Sequence, residues 1–377
     1  MTQRRKVLWL IKGLGLGGAE KLLSLSLPYI DRDKYDYEVA YLLPWKNALV
    51  DDFQREDIPV HCLNQSRPYD IRTLWRLNRL LRNENVDVLH VHLPYSGIMG
   101  RIASRMSPVK AVVYTEHNLW QRYHKITSLF NKITYRWNDA VIAVSKEVEH
   151  SIHDNYSMNG KPKLDVIPNG VDIALLQNVM ARKRDIRPEF GIPADHAIVV
   201  HVANFTPKKR HCDLLEAVKL VINKNCKVTF ILVGQGPLQE KTEADARRLG
   251  IEDNVVFAGF RADATDIMAA ADMFVLPSQF EGMPVSMLEA MALGTPVIAS
   301  RVGGIPEVLE DRLDGILIDA MEPGQLADSV LRLLADQELR ATLSDKALIK
   351  VRQKFSIEDM VRSTESVYDQ MLKKATG

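Results

Sequence analysis

Short apolar runs alternate with longer amphipathic stretches along almost the whole chain. In the first half the runs are VLWLI (7–11), YEVAYLL (37–43), PVHCL (59–63), VDVLHV (86–91), AVVYT (111–115), DAVIAVS (139–145) and DVIP (165–168). In the second half they are AIVVHVA (197–203), KVTFILVG (227–234), VVFAG (255–259), MFVLP (273–277), TPVIAS (295–300) and GILI (315–318). Runs apolar on both faces, separated by ten or more helical residues, predict parallel strands joined by crossover helices. Two such series predict an α/β protein with two doubly wound, Rossmann-like domains rather than one very wide sheet. The polar stretch QNVMARKRDIRPEFGIPADH (177–196) carries two prolines and no strand pattern, as a linker would. That places a first domain over 1–180 and a second over 190–355. After Phe355 the segment SIEDMVRSTESVYDQMLKK predicts an amphipathic helix over about 356–377, with Ser356 as N-cap. Its apolar positions are Ile357, Met360, Val361, Val367 and Met371; pattern alone leaves open whether it packs back on the first domain.

Length and composition narrow the class. A chain of 377 residues that is 46% hydrophobic and 26% charged is a globular protein of two-domain size. Lys and Arg number 49 against 48 Asp and Glu, so net charge gives no reason to expect a nucleic-acid partner. Cys62, Cys212 and Cys226 are an odd set without metal-ligand spacing, which suits small buried thiols in a reducing compartment. The basic start MTQRRK precedes an apolar run of only five residues, too short for a signal-peptide core. No stretch approaches the roughly 18 apolar residues that span a bilayer. The expectation is a cytoplasmic protein, free to lie against the inner face of a membrane.

Two segments carry candidate chemistry. The first strand leads into KGLGLGGAEKLLSLSLPYI, where Gly13, Gly15 and Gly18 satisfy G-x-G-x-x-G ahead of a helix beginning near Ala19. Dinucleotide binding also wants an acidic residue closing the second strand, and that strand runs Ala40-Tyr41-Leu42-Leu43-Pro44-Trp45 without one. A plain tight turn and a sugar- or phosphate-facing loop stay open beside it. In the second segment, strand MFVLP leads through Ser278-Gln279-Phe280-Glu281-Gly282-Met283 to a helix starting near Pro284. That loop lies beyond the carboxyl end of a parallel strand, where ligands of open sheets bind. Glu289, inside the helix, can accept hydrogen bonds from a vicinal diol while loop amides and the helix dipole meet a diphosphate. Equally, Glu281 can be a first-turn partner of the dipole and Glu289 a solvated helix residue.

The order of segments ILVGQGPL (231–238), VVFAGF (255–260), ADMFVLPSQFEGMPVSMLEAMALGTPVIAS (271–300) and GGIPEV (303–308) resembles the family 4 retaining glycosyltransferases. GLGLGGAE, TEHN (115–118), VSKEV (144–148) and IPNGVD (167–172) extend the resemblance over most of the chain, least over 44–110. It implies the GT-B fold, two Rossmann-like domains facing each other across a cleft, and sugar transfer from an α-linked UDP- or GDP-sugar. Glu289 would hold the donor ribose and Glu281 would face the transferred sugar. Gly282, Met283, Pro284 and Val285 would line sugar and diphosphate, with Gly17, Gly18 and Gly234 also on the donor. Val256, Phe257 and Gly259 would lie near the base. His117 of TEHN would stand close to the reacting centre, and Asn169 of IPNGVD on the acceptor side. The acceptor would be a glycan, a lipid-linked sugar or a small molecule, in cell-surface polysaccharide or glycolipid synthesis.

The sequence departs from the family at one telling place. Where the family offers G-R-L-x-x-x-K-G, this chain reads His201-Val202-Ala203-Asn204-Phe205-Thr206-Pro207-Lys208-Lys209-Arg210-His211. Lys209 matches the lysine, but Asn204 stands for the arginine and cannot neutralise a phosphate. Lys208, Arg210 and Arg301 are candidates for the missing charge; the cluster also reads as a solvated helix start. No metal or other cofactor is expected. His90 and His92 alternate on a strand, with nothing of ligand chemistry near them in sequence. Leaving-group charge would then be met electrostatically, and Glu281 and Glu289 read as binding groups rather than a glycosidase-like pair.

Between Gly100 and Trp137, Arg101, Arg105, Lys110, Arg122, Lys125, Lys132 and Arg136 face one acid, Glu116, with Trp120, Tyr123, Phe130, Tyr135 and Trp137 interleaved. Such a surface can sit on anionic headgroups; the aromatics can equally be core and the cations solvated. Rival readings of the whole chain are another activity on the same scaffold, an NAD-dependent oxidoreductase, and a catalytically silent nucleotide-sugar-binding protein.

Overall fold

The structure, a computed structural model, describes residues 4–67, 70–157, 162–224 and 227–376. Each of the apolar runs forms a strand. The first seven are β1 (Arg5–Ile11), β2 (Tyr35–Tyr41), β3 (Val60–Cys62), β4 (Val88–His92), β5 (Ala111–Glu116), β6 (Ala140–Ala143) and β7 (Lys163–Val166). The second series is β8 (Ala197–Val202), β9 (Val228–Val233), β10 (Val255–Gly259), β11 (Met273–Leu276), β12 (Val297–Ser300) and β13 (Ile316–Ile318). They make two sheets, ordered β3-β2-β1-β4-β5-β6-β7 and β10-β9-β8-β11-β12-β13, with parallel pairing throughout. Both are doubly wound, because the chain steps outward from the first strand and then jumps back to the other side of it. The jumps leave switch points between β1 and β4 and between β8 and β11, where open sheets bind ligands.

The chain divides into two compact units, residues 1–170 with 357–377, and residues 171–356. This corrects the linker expected at 177–196. That stretch is structured: helix Ile173–Ala181 is capped by Asp172 and buries Leu176 and Val179, and Arg182 and Arg184 reach Asp266 and Asp263. Pro188, read as a linker residue, lies in the first turn of the short helix Arg187–Phe190, where its missing N–H costs nothing.

The helix Ile357–Thr376 belongs to the first unit. It buries Ile357, Val361, Val367, Tyr368, Met371 and Leu372. Its polar residues also bond to the sheet: Trp9 Nε1 donates to the Tyr368 hydroxyl at 3.3 Å, Tyr35 to Asp369 at 2.6 Å, and Tyr37 to Glu365 at 2.7 Å. The second unit is filled by Val199, Leu214, Val218, Phe230, Leu232 and Val330 around β8 and β9.

Two expectations about surface chemistry change. Cys62 is only half-buried and Cys212 is exposed, since helix His211–Lys224 turns His211, Asp213, Leu214 and Leu215 inward instead. Cys226 and the side chain of Arg122 lie outside the described residues. In the segment 100–137, Arg101, Trp120 and Tyr135 are core residues, not a basic aromatic surface. The Arg101 guanidinium donates to Asn131 Oδ1 at 2.5 Å and lies over the rings of Tyr114 and Tyr135. Glu116 is likewise buried, taking the hydroxyls of Tyr114 and Tyr123.

What faces outward is aliphatic. Helix Lys125–Tyr135 turns Asn131, Thr134 and Tyr135 inward and exposes Ile126, Leu129, Phe130 and Ile133 by 52, 56, 42 and 53%. On the inward face Asn131 meets Arg101, and Thr134 satisfies its hydroxyl within the helix on the carbonyl of Phe130 at 2.8 Å. No helix among the described residues is long and apolar enough to cross a membrane.

Candidate active site

In the second unit the loops after β8 and β11 flank the switch point. Lys209 ends the turn Pro207–Lys209, and Arg210 follows in the left-handed region at φ 52°. Arg210 is held there by Asp213, 2.7 Å from each of two guanidinium nitrogens. Lys209 Nζ donates to Glu281 Oε1 at 2.5 Å, and the two side chains are only 12 and 6% exposed. Burial works to raise the Glu281 pKa, but Lys209 and then Lys208 outweigh it and hold the carboxyl below its ordinary value. The pair is therefore ionised, and a buried pair of this kind is costly to break from one side.

The backbone around Glu281 is braced. The amide of Gln279 donates to the carbonyl of Lys208 at 2.8 Å, tying the two loops together. Gly303 sits at φ 54°, and a Cβ there would lie 1.7 Å from the carbonyl oxygen of Glu281, so only glycine fits. Gly304 donates to the carbonyl of Gly282 at 2.9 Å. Pro284 then stands at the N-cap of helix Val285–Ala292, one position earlier than the first helical turn expected for it. Glu289 on this helix is 4% exposed, which removes the reading of a solvated residue.

Bare backbone recurs on the far side of β8. Gly234, at φ 142°, would place a Cβ 2.1 Å from the Ala203 carbonyl, and its N–H donates to Gly259 at 2.7 Å. Phe257 is half-buried and tilted against Phe205, which stacks on His211 at 4.1 Å. His201 and His211 are neutral: burial drives them to about 4 and about 2, and His201 Nδ1 donates to the Val275 carbonyl.

The first unit offers a different site at the equivalent place. The glycine loop after β1 is tied to 46–49 through Leu14, whose N–H donates to Lys46 and whose carbonyl accepts from Leu49. Gly17 caps the helix Gly18–Ser26. In the register of β4 and β5, His92 lies opposite Thr115, so His90, His92, Thr115 and His117 share one face. His90 uses both ring nitrogens, on the Tyr368 hydroxyl at 2.5 Å and Thr115 Oγ1 at 2.7 Å. His92 Nδ1 meets His117 Nε2 at 3.2 Å. Burial lowers His90 to about 3 and His117 to about 4, and carries His92 well below its ordinary value. An apolar pocket opens among Trp9, Leu22, His92, His117, Asn169 and Tyr368.

Sequence comparison accounts for both units. The family model described as Glycosyltransferase Family 4 matches residues 16–175, and that described as Glycosyl transferases group 1 matches residues 182–349. The chain is 30% identical to the N-acetyl-alpha-D-glucosaminyl L-malate synthase of Bacillus anthracis, over 85% of this chain and 84% of that one. The chain belongs to glycosyltransferase family 4. It is 29% identical to the UDP-Gal:alpha-D-GlcNAc-diphosphoundecaprenol alpha-1,3-galactosyltransferase of Escherichia coli, over 95% of each. Among solved structures it is similar to Anabaena Alr3699/HepE in complex with UDP-glucose, at 24% identity and a TM-score of 0.85, covering 97% of this chain and 99% of that one. That last likeness concerns the fold, which is GT-B. The family makes this protein a hexosyl-transferring glycosyltransferase.

In this glycosyltransferase the residues singled out in the sequence gather at two places. Asn204, Lys209, Gly234, Gly259, Glu281, Gly282, Met283, Pro284 and Val285 lie at or just beyond the carboxyl ends of β8 to β11, with Phe257 inside β10 and Glu289 on the helix that follows β11. His117 and Asn169 line the first-unit pocket, and Gly17 and Gly18 start the helix beside it. Lys209 is an ion-pair partner, not part of a solvated helix start. Asn204 is exposed, and of the cations that could replace the family arginine, Arg210 is engaged by Asp213 and Arg301 stands 3.6 Å from Asp311. Lys208 is the one whose charge is felt at Glu281.

His90 and His92, at the end of β4, both line the first-unit pocket, and each bonds a second buried group. Sequence reasoning did not anticipate the brace by Gly303 or the contact of His92 with His117. The first had a signal in the Gly303-Gly304 pair after β12, and the second in the alternation His90-Val91-His92. Among the described residues, no group of three or more His, Cys, Asp or Glu is placed to hold a metal ion.

Proposed function

We propose that this glycosyltransferase moves a hexosyl group from a UDP-sugar to a glycan carried on a lipid diphosphate, with retained anomeric configuration, at the cytoplasmic face of a membrane. The observation that carries the donor half is the buried Lys209–Glu281 pair at the β8/β11 switch point. Lys209 meets the diphosphate, Glu281 accepts hydroxyls of the transferred sugar, and Glu289 holds the ribose. The first amides of helix Val285–Ala292 add partial positive charge. The acceptor oxygen forms its bond to the anomeric carbon on the face the diphosphate leaves, and the released phosphate oxygen takes the acceptor proton. His117, neutral, hydrogen-bonds the sugar rather than titrating, and Asn169 belongs to the acceptor side. Charge supplied by the protein makes the reaction independent of a metal, so a chelator leaves the rate unchanged.

The E. coli relative, whose name gives UDP-Gal as donor and a lipid diphosphate as acceptor, supports this choice of substrates. The membrane half rests on helix Lys125–Tyr135. Its exposed Ile126, Leu129, Phe130 and Ile133 form one stripe at helical spacing, bordered by exposed Lys125, Lys132 and Arg136 with no acid on the helix. Apolar burial plus anionic attraction is the combination that holds interfacial helices.

The donor reading is tested by release of UDP from UDP-Gal, UDP-Glc and UDP-GlcNAc beside GDP-mannose and NAD. Thermal stabilisation by NAD alone, or by no nucleotide, sinks it. An NMR coupling constant showing a β-linked product from an α-linked donor overturns retention. Co-sedimentation with anionic vesicles is expected, and to be lost in Leu129→Asn/Ile133→Asn; equal pelleting of both proteins removes the membrane half.

A further inference from the structure

The first-unit histidines carry an inference about which proton His117 offers. Neutral imidazole has a single N–H, so the 3.2 Å contact between His92 Nδ1 and His117 Nε2 fixes one ring as donor and the other as acceptor. His92 Nε2 is buried and without a hydrogen-bond partner. If His117 donated, the proton of His92 would sit on that nitrogen, leaving a buried N–H without an acceptor. Orphaned buried N–H groups are the rarer and costlier case. If His92 donates, only a bare lone pair is left there, against the ring of His90 at 4.1 Å.

The backbone holds His92 in place for this. Leu93, the next residue, takes φ 69° and ψ 148°, a strained conformation that side-chain-bearing residues rarely adopt. Ser96 bonds the carbonyls of His92 and Leu93 and pins the strained turn. His90, by contrast, spends both nitrogens on Tyr368 and Thr115 and has nothing left to give.

We infer that His92 is a positioning residue that donates from Nδ1 to His117 Nε2, locking His117 in the Nδ1–H tautomer so that its one N–H faces substrate. The inference rests on the reading that His117 hydrogen-bonds the transferring sugar. It assigns His92 no contact with substrate. Because the hydrogen bond from His92 selects the tautomer, its loss acts on turnover rather than on donor affinity.

The test uses histidine-labelled enzyme and variants chosen by atom position. Asn places its amide nitrogen two bonds from Cβ, as His places Nδ1; Gln places it one bond further, near Nε2. His92→Asn is expected to keep kcat within about threefold, while His92→Gln and His92→Leu lose up to about tenfold, the bound set by losing His117 itself, with donor KM little changed. Long-range 15N–1H spectra of the wild-type enzyme are expected to show His117 protonated at Nδ1. A wild-type His117 protonated at Nε2 overturns the inference even if His92→Leu fails to fold. So does equal loss in the Asn and Gln variants, or wild-type kcat in His92→Leu. Wild-type kinetics in His117→Ala would instead remove the role of His117, with the tautomer still readable in the spectrum.

Discussion

The two units share one winding and present opposite electrostatics at the equivalent place. Beyond β8 and β11 the second unit buries a full ion pair, Lys209 and Glu281, within backbone bared by Gly234 and Gly303. Beside its own β1/β4 switch point, on β4 and just past β5, the first unit buries three neutral histidines with Trp9 of β1 and Tyr368 of the final helix. Topology supplies the location of a site, and the side chains at the strand ends decide its chemistry. A site holding charge suits a charged diphosphate; a site that has expelled charge suits hydroxyls and apolar surface. On the proposed function, the charged site meets the donor diphosphate and the neutral one meets hydroxyls of the transferring sugar and the acceptor.

The largest expected effect breaks the charged half. Lys209→Ala should lower kcat by about 10²- to 10³-fold, as loss of an electrostatic stabiliser does, and leave Glu281 buried without its cation. Steady-state release of UDP measures it, and a loss below tenfold would mean that Lys208 carries the diphosphate instead. Glu289→Ala should raise donor KM by about 10- to 100-fold, the worth of a hydrogen bond to a charged group, with kcat nearly constant. Equal losses in kcat and kcat/KM would move Glu289 from binding into the transition state. In the neutral half, His117→Ala should lower kcat by about tenfold and change affinity less.

The smallest effect is on stability against pH. His90, His92 and His117 titrate below their unfolded value of about 6.5, so unfolding takes up protons and stability falls as pH drops from about 6.5 towards 4. For His90 and His117, lowered to about 3 and about 4, the slope is about 1.4 kcal/mol per pH unit within that window; His92 acts in the same direction. Glu116, lifted to about 7 by burial, works the other way and offsets one of them. Glu281, depressed, contributes stability above its unfolded value near 4.5 that is lost as pH falls through its folded value. Melting temperatures between pH 7 and 5 should decline, and His117→Asn should flatten the decline; an unchanged slope would mean that His117 is protonated in the folded protein.

Several elements were legible because they follow from local pattern. Two-sided apolar runs such as VTFILV can only be buried strands, and their spacing forces parallel pairing with crossover helices. Glu281 and Glu289 were legible through the segments around them, which carry loop geometry as well as carboxylates. The inverted helix Lys125–Tyr135 was not, because Ile126, Leu129, Phe130 and Ile133 have the spacing of a core face. The opposite face goes inward instead, with Asn131 on the buried Arg101 and Tyr135 packed against Tyr114, Trp120 and Tyr156. Likewise the polar stretch 177–196 has the composition of a linker, and becomes structure through ion pairs to Asp263 and Asp266 far along the chain.

By itself, then, the sequence determined the class of fold, the two sheets and the positions of the residues at their strand ends, since hydrophobic period and glycine placement act over a few residues. Tertiary structure alone decided which of those residues meet. Lys209 reaches Glu281 across 72 positions, and Tyr368 of the final helix reaches His90 across 278. Protonation was decided there as well, for a histidine becomes a neutral donor, and a carboxylate keeps its charge, only through the neighbours that burial brings to it.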